Sequence, residues 1–347
     1  MTVDTARPAP AEVQAAQLVM QIGSGYIMAA ALHAATTLDI ADRLAAGPRS
    51  AASLADEAGV LEDPLYRVLR ALASVGIFQE HEHRRFSNTP ASDVLRSGAP
   101  GSLRRMAEWI CEPFHFRSYA ELPYSLRTGK PGAERVAGEP IFEYFPKHPA
   151  LSELFNDAMT SFSASIISAV LDGFDFGGIG TLVDVAGGHG MVLTSILQRY
   201  PSMRGILLDL EHVVAGARPK IAAAGLADRC EAVAGNFFTA VPAGGDAYLM
   251  KHIIHDWDDD RATMILERIR EALAGIRQGR LLLLECVVQP GNAPDFGKVL
   301  DLEMLMFPGG RERTADEFAR LLAGAGFALT RIVPTSSPVC VIEATPV

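Results

Sequence analysis

"TLVDVAGGHGMVLTSILQRYP", residues 181 to 201, runs from a short β-rich stretch into a helix pattern through a turn with glycine at 187, 188 and 190. Glycine admits positive φ and lets a ligand come close to the backbone, and the start of the following helix offers free N–H donors. A nucleotide-like ligand suits such a loop. The dinucleotide fingerprint GxGxxG, begun at Gly188, requires glycine at 193, where the chain has Leu193. The NAD form of the motif therefore fails, and hydride transfer loses its main support.

Six further β-rich runs follow: MRGILLDL (203–210), RCEAVAG (229–235), DAYLMKHI (246–253), RLLLLECVV (280–288), FALTRIVPT (327–335) and VCVIEATP (339–346). The first five strands of the set alternate with helix patterns, which predicts βα units and a parallel sheet with helices on both faces. The last two are separated only by SSP and must form a hairpin. Ligands of such an α/β sheet gather beyond the carboxyl ends of its strands. Asp209 closes the second strand about 20 residues past the glycines, where a carboxylate accepts hydrogen bonds from both hydroxyls of a ribose. An aspartate at a strand end is also a common turn former.

Upstream, residues 12 to 46 read as helices too apolar for a simple surface position, including YIMAAALHAATTLDIADRLAA (26–46). They must either form a core or dock on another chain. Next come a Ser-capped helix at SAASLADEAG (50–59), a second at PLYRVLRALASVG (64–76) and a hairpin at FQEHEHRRFSNT (78–89), the order of a winged helix. Its second helix carries Arg67 and Arg70 behind acidic Glu62 and Asp63, too little positive charge for a DNA-reading surface.

A chain of 347 residues accommodates two domains, and the boundaries expected are 1–110 and 111–347, with a helical lead-in over 111–178. The net charge of -10 argues against nucleic acid and anionic lipid as partners. Cys111, Cys230, Cys286 and Cys340 form no CxxC pair, which favours a reducing, cytoplasmic setting over a disulfide framework. The start, MTVDTARPAPAEVQ, reads as frayed and lacks the basic and apolar regions of a secretion signal. No uninterrupted apolar run approaches the roughly 20 residues of a membrane span.

The densest chemistry lies in DAYLMKHIIHDWDDD, residues 246 to 260, a strand whose carboxyl end delivers residues 252–256 to the cleft. The acidic run starts the next helix, where carboxylates suit the positive end of the dipole, so Asp256 and Asp258 to Asp260 read mainly as structural or solvated. A lone histidine here is open to packing or function. A metal reading needs further ligands at suitable spacing, and no HExxH is present, so no metal is expected. Glu285, ending a run of four leucines, needs a partner to be buried there.

LVDVAGGHG (182–190), LLDL (207–210), GNFF (235–238), DAYLMKHIIHDWDD (246–259), LLLLECVVQP (281–290) and MLMFPGGRERTADEF (304–318) resemble, in order and spacing, the S-adenosylmethionine-dependent small-molecule O-methyltransferases. That group includes caffeate, acetylserotonin and bacterial polyketide O-methyltransferases. The resemblance spans nearly the whole chain and implies a seven-stranded Rossmann-like methyltransferase sheet with a mainly helical, winged-helix-like N-terminal dimerisation domain. A homodimer through the N-terminal helices follows from it.

By the same resemblance, His255 is the general base and Glu285 and Glu312 flank it, a surface pair with a nearby arginine being the other reading for Glu312. S-adenosylmethionine, giving S-adenosylhomocysteine, would be held by Asp184, Gly187, Gly188, Gly190, Asp209, Leu210, Asn236, Phe237, Lys251 and Ser163. The acceptor pocket would draw on Trp109, Phe155, Met159, Phe162, His252, Asp256, Met304 and Phe307, with Phe114 and Phe116 beside them. Ala186 stands where the family most often has the first glycine, and Asn236 where it has an acidic residue, so adenine would be bound without charge assistance. The expected reaction is methylation of a phenolic hydroxyl on a small aromatic metabolite. Hydroxylation or decarboxylation on the same cofactor, and a winged-helix DNA-binding regulator, are the alternatives.

Overall fold

Leu281, Leu282, Leu283 and Leu284 are each 0% exposed, as a strand covered on both faces requires. The computed structural model in which they lie describes residues 10–347, so the expected frayed start falls largely outside the described residues. The described chain divides into two compact units with the boundary between Phe116 and Arg117.

In the N-terminal unit, β1 (Arg49–Ser50), β2 (Phe78–His81) and β3 (Arg85–Asn88) form a small antiparallel sheet in the order β1-β3-β2. The helices Ala51–Ala58 and Glu62–Ser74 precede the β2–β3 hairpin, and Ser50 caps the first of them by accepting from the Ser53 N–H. Leu54, Leu65, Leu69, Leu72, Phe78 and Phe86 make their shared core. The helix Ala11–Gly23 buries no residue within the chain, and Val19, Met20 and Ile22 are 69%, 70% and 72% exposed.

The C-terminal unit holds β4 (Thr181–Val185), β5 (Arg204–Asp209), β6 (Cys230–Ala234), β7 (Ala247–Lys251), β8 (Arg280–Cys286), β9 (Phe327–Pro334) and β10 (Val339–Pro346). Their order is β6-β5-β4-β7-β8-β10-β9. The first five are parallel, and β10 runs antiparallel between β8 and β9. The hairpin forced by SSP thus places the last strand inside the sheet. One connection departs from the βα expectation: residues 235–246 between β6 and β7 contain no helix, since Pro242, Gly244 and Gly245 interrupt any run long enough to form one.

The helix Pro149–Gly173 puts Ile166 and Val170 against one face of the sheet, alongside Leu193, Ile196 and Leu207. The helices Asp259–Ala272 and Ala315–Gly324 cover the other face with Ile265, Ile269, Phe318 and Leu322. Burying each such side chain contributes about 1.5–3 kcal/mol. The helix Pro149–Gly173 is long and apolar enough to cross a membrane, and so is the bent pair Ala11–Gly23 and Gly25–Thr37 taken as one span. This corrects the reading that no segment is long and apolar enough. Five serines and Thr160 interrupt the long helix's apolar run, and Ala158, Ile166 and Val170 are its buried hydrophobic residues.

Candidate active site

β4 turns into its helix through Ala186, Gly187, Gly188 and Gly190, of which Ala186, Gly188 and Gly190 have φ of 58°, 60° and 79°. At Gly187 a Cβ would lie 2.3 Å from Leu207 and 2.5 Å from Asp184 Oδ2, so only hydrogen fits. A Cβ on Gly188 would meet nothing within 4 Å, which leaves that backbone open to a ligand. Ala186 pays for its left-handed φ, a cost of about 1–2 kcal/mol for an L-residue. Part of this returns on substitution by glycine, whose unfolded chain has more freedom to lose. Ala186→Gly is expected to raise stability by up to about 1 kcal/mol; a urea midpoint unchanged or lowered would refute the strain.

Asp209 fastens the neighbouring turn. Its Oδ2 accepts from the Gly188 N–H at 2.8 Å and its Oδ1 from the Leu210 N–H at 2.7 Å, while the Leu210 side chain is exposed. Asp184 is 1% exposed and its Oδ2 has no hydrogen-bond partner. Burial pushes its carboxyl up to about 7 against the pull of Lys251. Lys251, at the end of β7, is brought down to about 8 by desolvation, opposed by Glu285 and Asp184.

Asn236 Oδ1 accepts from the Phe238 N–H at 2.9 Å, a bond that fixes the side chain in its own loop and leaves one oxygen lone pair over. Phe237 packs on Phe238 and Trp257. Ser163 is buried, and its hydroxyl donates to the Met159 carbonyl at 2.7 Å.

β7 ends in a sharp reversal. His252 takes φ of 52°, a left-handed conformation uncommon for a residue with a Cβ, and the 3-10 turn Ile254–Asp256 follows. Glu285 braces the turn. At the end of β8, 0% exposed, its Oε1 accepts from the N–H groups of Ile253 and Ile254 at 3.1 and 3.0 Å. Those two bonds are the partner a buried glutamate needs.

The turn presents His255, 5% exposed, whose Nδ1 lies 2.5 Å from Glu312 Oε1. Glu312 is 3% exposed and bonds the base, so it is not a surface partner of an arginine. Glu285 Oε2 stands 3.6 Å from the Nδ1 atoms of both His252 and His255. Asp256 Oδ1 is 3.6 Å from His255 Nε2. Desolvation pushes Glu285 and Asp256 up to about 7 and Glu312, with the help of Asp301, up to about 8. Three carboxyls this close share protons near neutrality rather than carry three bare charges.

The acidic run divides by position. Asp256 is drawn into the cluster, Asp258 caps the helix Asp259–Ala272 by accepting from the Arg261 N–H, Asp259 bonds Arg313, and Asp260 is exposed. Asp256 is therefore not a solvated helix start.

His252 is 7% exposed, and among the described residues neither of its ring nitrogens has a hydrogen-bond partner. Its ring centre lies 4.8 Å from that of His255 and 5.4 Å from that of Phe162. Burial, then His255 and Lys251, hold it well below the usual imidazole value, hence neutral. His252, His255 and Glu312 each offer a metal-type ligand atom, all within 4.8 Å of one another. The expectation of no further ligand at suitable spacing is corrected here, because the third donor arrives from far along the chain.

Of the acceptor-lining candidates, Phe162 reaches this cluster, and Met304 and Phe307 are buried at the end of the helix Phe296–Met306, which leads into the Glu312 loop. Phe155 stacks on Phe145 at 4.8 Å, and Met159 is half-buried on the same helix as Phe162. Trp109, Phe114 and Phe116 belong to the N-terminal unit, where Trp109 meets His115 edge-on at 4.5 Å.

Sequence reasoning missed Arg313 and Gly310. Arg313, 1% exposed, donates to the carbonyls of Ile254, Trp257 and Arg311 and to Asp259 Oδ1. Gly310 leaves the room that lets its loop touch the base's turn, and the adjacent Arg311 N–H donates to the His255 carbonyl at 2.8 Å. GGRERT places arginines on both sides of Glu312, and spacing alone does not tell which is buried.

Residues 119–328 match the family described as O-methyltransferase domain, and residues 20–98 match an O-methyltransferase dimerisation domain. A phenazine O-methyltransferase of Lysobacter antibioticus is 40% identical over 335 residues, 96% of this chain and 97% of that protein. The mitomycin biosynthesis 6-O-methyltransferase of Streptomyces lavendulae is 36% identical over 99% of each chain. Among solved structures, the neocarzinostatin-biosynthesis O-methyltransferase, in complex with S-adenosylmethionine and 2-hydroxy-5-methyl naphthoic acid, superposes with a TM-score of 0.77 at 33% identity, covering 91% of this chain and 95% of that one.

Proposed function

The chain belongs to the O-methyltransferase family, and from that membership we propose that it methylates a phenolic hydroxyl of a small aromatic metabolite with His255 as general base. It is an S-adenosylmethionine-dependent methyltransferase. The single observation that carries the base assignment is the 2.5 Å contact between His255 Nδ1 and Glu312 Oε1, deep inside the sheet's carboxyl end.

The residues present suit the cofactor. Gly188 leaves open space, Asp184 carries a buried oxygen without a partner, and Asp209 ends its strand beside the loop. Gly187, Gly188, Gly190, Asp184, Asp209 and Lys251 would hold it, and when bound it supplies the electrophilic methyl group. The protein's own task is the acceptor's proton. A phenol with pKa about 10 is mostly protonated at neutral pH and is a poor nucleophile. Glu312 accepts from Nδ1 of His255, which fixes the tautomer and leaves Nε2 to take the phenolic proton. Glu285 holds the turn that aims the ring. Phe162, Met304 and Phe307 exclude water and hold a flat ring by packing.

The N-terminal unit, with its winged-helix order, serves dimerisation in this reading. Its first helix has an exposed apolar face, and a second copy of the chain would cover it. The net charge of -10 and four cysteines outside any disulfide fit a cytoplasmic enzyme that engages neither nucleic acid nor membrane. A nitrogen acceptor is the second reading, favoured by the relative named 8-amino-8-demethylriboflavin N,N-dimethyltransferase, 36% identical over 97% of this chain.

Incubation with methyl-labelled S-adenosylmethionine and a panel of phenols and aryl amines tests this. A product heavier by one methyl group on oxygen is the expected result. Transfer to nitrogen alone, hydroxylated or decarboxylated products, or salt-dependent DNA binding without turnover would overturn it.

A further inference from the structure

We propose that His252, His255 and Glu312 form an inhibitory site for a borderline transition ion of the Zn2+ class, which stops methyl transfer by occupying the base. The second half of this rests on the role of His255 proposed above; the binding itself does not.

The chemistry of the donors carries the argument. Two imidazoles and one carboxylate are the ligand set that borderline divalent ions prefer over Mg2+ or Ca2+, which take oxygen ligands. Their ligand atoms already lie within 4.8 Å of one another. Donors about 2.1 Å from a tetrahedral ion stand some 3.4 Å apart, so closure needs a shift of about an ångström from flexible side chains. His252 has both ring nitrogens buried without a partner, which is costly unless a ligand completes them. At φ of 52° its ring centre lies 4.8 Å from that of His255. Glu285 Oε2, also without a partner, stands 3.6 Å from both imidazoles and adds negative charge next to the ion.

Coordination balances simply. The ion takes lone pairs from the two imidazoles and an oxygen of Glu312, and His255 stays neutral by passing its one ring proton through solvent from Nδ1 to Nε2. With the ion seated, His255 has no free acceptor aligned for a phenolic proton.

The test uses the untagged full-length protein, freed of metal by a chelator and then titrated with Co2+ as a spectroscopic probe. One ion per chain with a visible absorption band of tetrahedral character is expected, displaced by Zn2+ and untouched by Mg2+. His252→Ala and Glu312→Gln, each checked for folding by its melting transition, should weaken Co2+ binding at least about tenfold. Binding without the band, or with the same affinity in both variants, marks surface adventitious metal and overturns the site. Zn2+ should abolish turnover of the wild type, and a chelator should restore it. Turnover that persists with the site filled overturns the inhibitory role. Absence of any methyl transfer would instead count against the proposed reaction, since the Co2+ measurement reads the site without it.

Discussion

His255→Ala is expected to lower turnover by about 10² to 10⁴, the range general-base assistance supplies, while S-adenosylmethionine binding stays within a factor of a few. The reason for the separation is spatial. The glycine loop, Asp184 and Asp209 hang from β4 and β5, whereas His255 rides on the turn after β7 and makes its closest contact with Glu312. Removing the imidazole leaves Glu312, pushed up to about 8 by burial, able to take up a proton, so no bare charge is stranded. Calorimetric titration with the cofactor and turnover on a phenol acceptor check both halves. Residual turnover in the variant would come from proximity and alignment, which are worth as much or more. Turnover equal to the wild type would remove the base from this histidine.

The sheet was legible because its signal is local. Four consecutive buried leucines, a glycine turn after TLVDV and a three-residue gap between the last two strands leave few ways to arrange the chain. His255, Glu285 and Glu312 were legible by resemblance, but their division of labour was not. Hydrogen bonding decides it: Glu285 spends one oxygen on two backbone N–H groups and Glu312 takes the imidazole. The left-handed φ at His252 leaves no trace in composition or spacing, because a strand of the same residues continues equally well with extended backbone. Asn236 shows the same limit, since the letter does not disclose the bond its Oδ1 accepts from the Phe238 N–H. The exposed helix Ala11–Gly23 was anticipated as either core or docking surface, and burial alone separates those.

The remaining large effect is expected at the strut that ties the base's turn to the Glu312 loop. Arg313 is the largest fully buried side chain, and its guanidinium bonds the Ile254 carbonyl at 3.1 Å, the Trp257 carbonyl at 2.9 Å and Asp259 Oδ1 at 2.7 Å. Arg313→Met keeps most of the volume and removes every donor. Two carbonyls of the turn then lose their partner with little access to water, and each costs about 1–3 kcal/mol. The exposed Asp259 turns to solvent at little cost. The sum is about 2–6 kcal/mol, measured as a fall in urea midpoint at unchanged slope. Gly310→Ala attacks the same junction from the other side, because its Cβ would stand 2.0 Å from the His255 carbonyl oxygen and 2.3 Å from the Asp256 carbonyl carbon. Backbone, not a yielding side chain, occupies that space. The loop must retreat, lengthening the His255–Glu312 contact, so turnover should fall at least about 100-fold, as an ångström's misplacement of a catalytic group does. If both variants keep wild-type midpoints and rates, the junction does not position the base.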